Sequence, residues 1–70
     1  MVLNDAVIGV PYTIIDIQTD DVELDAFLRR LGCYSGQSVV VVSRNRKGCV
    51  ASILNNRYSI DADIASAIII

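Results

Sequence analysis

The pattern of apolar and polar positions changes period twice along the chain. "PYTIIDIQ" (Pro11 to Gln18) is rich in β-branched and aromatic residues. Tyr12, Ile14 and Asp16 alternate there with Thr13, Ile15 and Ile17, which predicts one strand buried on one face and partly covered on the other. "TDDVELDAFLRRLG" then moves to a helical period. Leu24, Phe27, Leu28 and Leu31 fall at i, i+3, i+4 and i+7, an apolar stripe that predicts an amphipathic helix with all four side chains against the core. Asp20 stands where an N-cap belongs, and Glu23 three residues on completes a capping-box pattern. Acids gather at the positive end of the helix dipole, Arg29 and Arg30 at the negative end, and Gly32 offers the left-handed residue that ends the helix.

Beyond Gly32 only strands and turns are predicted. "SVVVV" (Ser38 to Val42) does not alternate, so neither face is expected to be freely exposed: one fills a small barrel and the other lies beneath the helix. "RNRKG" (Arg44 to Gly48) reads as a polar hairpin tip, "CVASIL" as the returning strand, and Asn55-Asn56 as a tight turn tolerant of positive φ. "RYSI", a short turn "DADIA" and "SAIII" complete the chain. Such short spacings predict a mainly β fold, a small antiparallel β-barrel with one α-helix inserted after the first strand.

Composition narrows the function classes. Seventy residues predict a single domain, 1–70, and 53% hydrophobic content is far too high for disorder. Six basic and eight acidic residues give a formal charge of -2, so no global field points to nucleic acid or a membrane surface. No apolar run approaches the ~20 residues of a bilayer span, and "MVLNDAVIGV" lacks a basic n-region, so a cytoplasmic protein without membrane insertion is expected. Cys33 and Cys49 stand far apart and the chain has no histidine, which argues against a closed zinc site and for two reduced, buried thiols. Phosphate-loop and serine-hydrolase motifs are missing, and so small a chain is not expected to hold a pocket of ~300 Å³. An enzyme is not expected.

A family resemblance carries the reading further. The helix ending "RRLG", followed by Cys33-Tyr34-Ser35-Gly36 and the valine strand, resembles the L-x-x-L-G-x-x-x-G-x-x-V-x-V signature of the ferrous iron transport protein A (FeoA) family. Leu28, Leu31, Gly32, Gly36, Val39 and Val41 occupy those places. "GVPYTIIDI" is similar to the family's first strand, with Gly9, Tyr12, Ile14 and Ile17 aligned, and "RYSIDADIASAIII" resembles its closing segment. Three departures stand out: Ser35 where many members have proline, the basic "RNRKG" in place of an apolar hairpin, and the absence of the arginine often found in the final segment.

The resemblance implies an SH3-like barrel. It further implies a cytoplasmic accessory protein of bacterial ferrous iron uptake, acting by protein–protein contact on the permease and GTPase FeoB, peripheral to the inner face of the membrane through that partner. Two alternatives stay open: a metal-responsive regulatory domain similar to the carboxy-terminal SH3-like domain of DtxR-type iron-dependent repressors, and a peptide-binding or self-associating barrel. No cofactor is expected. Asp61 and Asp63 are the nearest pair of hard ligands for a weakly held divalent metal, iron or zinc, but two carboxylates make a poor site. For a protein partner, Arg44, Arg46 and Lys47 crowd the hairpin tip, with Arg29 and Arg30 as weaker candidates. The tip lacks interleaved aromatics, so nucleic acid is not expected.

Overall fold

A computed structural model describes residues 1–70. After a single 3₁₀ turn at Leu3–Asp5 come β1 (Pro11–Thr13), β2 (Asp16–Ile17), α1 (Val22–Leu31), β3 (Ser38–Asn45), β4 (Gly48–Ile53), β5 (Asn56–Asp61), α2 (Ala62–Ala65) and β6 (Ile68–Ile69). Two antiparallel sheets enclose the core, one in the order β1-β3-β4-β5 and one pairing β2 with β6. The two ends of the chain meet: Val2 bridges Ile69, and the Ile70 N–H donates to the Met1 carbonyl at 2.9 Å.

The strand expected over Pro11–Gln18 is two strands. The Ile14 N–H donates to Gln37 (2.8 Å) while the Ile15 N–H donates to Ile69 (2.7 Å), so the chain changes sheets between these residues. Ile14 and Ile17 are buried and Ile15 is exposed, a spacing no single strand gives. The helix therefore follows the second strand.

α1 ends as expected. Gly32 adopts φ 100°, and its N–H bonds back into the last turn. Its start is displaced by one residue: the carboxylate of Asp21, not Asp20, accepts the Leu24 N–H at 3.0 Å. Only Leu28 is fully buried; Leu24 and Leu31 are half-buried against the core, and Phe27 is 45% exposed. At 100° per residue Phe27 lies about 60° round from the line through the three leucines, which takes it to the rim of the stripe. The backbone of α1 makes no extended close approach to β3. Its C-terminal end closes on the β4–β5 turn, where Leu54 packs over the bare Cα of Gly32 and a Cβ would lie 2.6 Å from the leucine. The outer valines Val40 and Val42 are half-buried.

That turn comprises Leu54 and Asn55, both at positive φ (51° and 65°), and Asn56 already belongs to β5. A leucine rarely takes this conformation; here its side chain is the lid over Gly32. The interior holds Leu3, Ile14, Leu28, Cys33, Val39, Val41, Ile53 and Ile68, with no buried polar residue. Burial pushes the Cys33 thiol up to about 11, because a thiolate there would be cut off from water.

Candidate partner-docking surface

The end of the barrel opposite the Gly32–Leu54 contact is built by the β3–β4 hairpin and α2. Asn45 shapes the hairpin: its Oδ1 accepts the N–H groups of Lys47 (2.8 Å) and Gly48 (3.2 Å), leaving Arg46 and Lys47 as a two-residue turn. Gly48 follows because β5 passes so close that a Cβ would collide with the Ile60 carbonyl oxygen.

A β-bulge between Val41 and Ser43 decides which way the basic residues face. Before it Val41 opposes Ala51; after it Ser43 opposes Val50 and Arg44 opposes Cys49. The extra residue reverses the parity of β3, so Arg44 shares the inner side with Val39, Val41 and Cys49 instead of pointing outward. At the barrel mouth its guanidinium donates to the Ala6 carbonyl at 2.6 Å and holds the N-terminal segment. Burial raises the Cys49 thiol and the charge of Arg44 works against that rise.

Ser43, Val50 and Ser59 form one row across the outer face, and Asn45, Gly48 and Asp61 the next. These rows floor an open groove of about 350 Å³ edged by Arg44 and Lys47. A smaller concavity of about 190 Å³ lies on the other side of the hairpin, between Asn4, Arg46 and α2. In it the Asn4 amide donates to Ala62 at 3.1 Å, while the amide oxygen is buried without a partner. The chain thus does hold a concavity of the size its length argued against: small residues at Ser43, Gly48 and Ser59 hollow the sheet face.

The candidate residues fall into distinct settings. The side chains of Arg46 and Lys47 are exposed at the tip and make no ion pair or hydrogen bond, whereas Arg44 is engaged by Ala6. On α1, Arg29 pairs with Asp25 at 3.0 Å, which raises its pKa. Arg30 is exposed and unpaired. Asp61 caps α2, with its Oδ1 accepting the Asp63 N–H at 2.9 Å. No three His, Cys, Asp or Glu side chains converge, so the chain by itself presents no enclosing ligand set for a metal. Sequence reasoning missed the groove, the inward turn of Arg44, and Asn4. Only the "GC" step at Gly48-Cys49 hinted that a backbone passes close by.

Comparison with known proteins bears on the fold and the family. The model of the FeoA domain matches residues 1–70. FeoA from Stenotrophomonas maltophilia complexed with zinc, a procaryotic SH3 domain protein, superposes with a TM-score of 0.86 at 16% identity, over 99% of this chain and 87% of that one. Iron(II) transport protein A from Clostridium thermocellum gives 0.87 at 26% identity, over 97% of this chain and 43% of that one. A manganese-dependent transcriptional repressor gives 0.86 at 18% identity, over 97% of this chain and 39% of that one. No curated protein sequence matches. The fold is accordingly a mainly β, SH3-like one, and no helix is long and apolar enough to cross a membrane.

Proposed function

The chain belongs to the FeoA family, and from that premise we propose that it is a non-enzymatic accessory module of ferrous iron transport. It docks on the cytoplasmic portion of the permease FeoB with the β3–β4 hairpin tip. The observation that carries this reading is the pair Arg46 and Lys47, two unpaired cations at the turn of the β3–β4 hairpin beside a 350 Å³ groove. Elsewhere five acids crowd residues 16–25, whereas at the hairpin end the acid beside the cations, Asp61, spends one oxygen on the α2 cap. Such a tip steers association with an acidic surface. Any nucleotide hydrolysis or transport belongs to the partner, which places this module at the inner face of the membrane. Iron is the cargo of that system, and Asp61 and Asp63 hold at most a weakly bound divalent ion.

The test is the association rate with the isolated cytoplasmic portion of the permease. Reversing Arg46 and Lys47 to glutamate is expected to slow association roughly tenfold at low salt and to flatten its salt dependence. An unchanged on-rate would remove the hairpin from the interface.

A second reading, a metal-responsive regulatory domain, is favoured by the superposition on the manganese-dependent repressor. Within these seventy residues, however, the helices are ten and four residues long and do not form a helix-turn-helix.

A further inference from the structure

The four-stranded sheet has two edges, and they differ. β1 is three residues long and begins with proline, whereas β5 is six residues long and regular. Its pairing with β4 runs without interruption from Ile53–Asn56 to Gly48–Asp61. Across a two-residue turn the flanking residues form a hydrogen-bonded pair, and the parity then alternates. The Ala62 N–H donating to Lys47 at 2.8 Å fixes the same parity at the far end of the strand. Asn56, Tyr58 and Ile60 therefore spend their backbone groups on β4, and Arg57 and Ser59 aim theirs away from the molecule. No loop, helix or side chain takes them up.

The side chains beside these free groups are self-complementary. Arg57, Ser59 and Asp61 share the exposed outer face. Arg57 has no ion-pair or hydrogen-bond partner, and Asp61 uses only Oδ1 for its cap. An antiparallel pairing of β5 with itself centred on Ser59 sets Arg57 of each copy opposite Asp61 of the other, at the distance where cross-strand charge pairs interact. The residues with unspent backbone groups are the ones this pairing would join.

We propose that the free edge of β5 is an isologous contact through which two copies of this chain pair antiparallel about Ser59, with Arg57 facing Asp61 on both sides of the axis. The two Ser59 residues exchange backbone N–H···O bonds, and the sheet continues across the pair. An edge of six residues buries well below the ~1,200 Å² of a stable complex, so the dimer is weak and forms as concentration rises. The groove floored by Ser59 and Asp61 extends over the join.

Because a two-fold axis sets residue 59 against itself, one substitution changes the contact twice. Sedimentation velocity of the intact chain is expected to show a mass rising toward the dimer at high concentration. Ser59→Lys and Ser59→Asp, each folded by circular dichroism because the site is exposed, are each expected to self-associate roughly fivefold more weakly than the parent. An equimolar mixture of the two variants should associate at least as tightly as the parent, since Lys then meets Asp. In the unsubstituted protein the Arg57 and Ser59 amide resonances should shift with concentration while those of Tyr58 stay, which tests the pairing without any variant. A parent that remains monomeric at millimolar concentration with unmoved amides overturns the proposal and leaves the edge to a foreign strand. A Ser59→Lys protein that dimerises as the parent does, or a mixture no tighter than its components, overturns it as well.

Discussion

The two ends of the barrel are closed by different chemistry. At the α1 end Leu28 and Cys33 sit in the core, Ile53 lines it, and Leu54 lies over Gly32 where no side chain stands between them. At the hairpin end small residues leave a groove, Arg44 is latched to a carbonyl, and Arg46 and Lys47 reach into solvent. The dry end gains its stability from apolar contact. The wet end keeps its cations and a sheet edge unpaired, and unpaired groups are what a partner can use. Apolar closure and open polar groups are thus segregated along the barrel.

The largest effect that could break this contrast lies on α1. Leu28→Ala empties a fully buried site and is expected to cost about 4 kcal/mol. Phe27→Ala, on the neighbouring residue, removes a half-exposed ring and should cost only about 1 kcal/mol. Urea unfolding at equal m-value separates them. Equal losses would mean that Phe27 is a core residue after all and that the helix packs on a different face.

A smaller effect compares the two thiols. The Cys33 thiol, pushed from 9.0 to about 11 by burial, keeps its proton in the folded state at pH values where the unfolded chain has lost it. Because the folded state then binds more protons than the unfolded, stability falls as pH rises from about 9 to about 11 and is unaffected below that window. A shift of that size corresponds to about 2–3 kcal/mol. The slope of stability against pH in this window should flatten in Cys33→Ala. It should flatten less in Cys49→Ala, because Arg44 opposes the rise at Cys49. Identical slopes in the two variants would show that the two ends are equally dry.

Local chemistry and distant contacts were unequally legible in the sequence. The exit of α1 could be read because Gly32 does its work within one turn. So could the antiparallel barrel, since short apolar runs separated by turn residues allow little else. The start of α1 falls one residue later than the pattern predicts: Asp20 and Asp21 are chemically equal, and it is Asp21, its N–H donating to the Thr19 hydroxyl at 3.1 Å, that caps the helix. The Leu54-Asn55 turn was hidden because its cause lies more than twenty residues away at Gly32. The bulge at Val42 was hidden too: a run of four valines carries no mark of where the pairing slips. For that reason the basic residues of the tip looked alike, and the structure divides them.

That division yields the smallest effect. Arg44 and Arg46 are both exposed arginines on one hairpin, two residues apart. Arg44 donates a charge-assisted hydrogen bond to Ala6, which belongs to the core while its carbonyl faces the barrel mouth. Arg44→Ala should cost about 1 kcal/mol, since a hydrogen bond to a charged group is strong but this one is partly screened by water. Amide exchange in the Leu3–Ala6 segment should quicken, because the clamp on Ala6 is gone. Arg46→Ala should stay within about 0.5 kcal/mol and leave that exchange alone, as expected for a surface side chain without contacts. Binding should reverse the order: Arg46 matters to association with a partner, while Arg44 acts mainly by keeping the mouth in shape. If Arg46→Ala destabilises as much as Arg44→Ala, the tip is part of the scaffold and the contrast between a closed and an open end fails there.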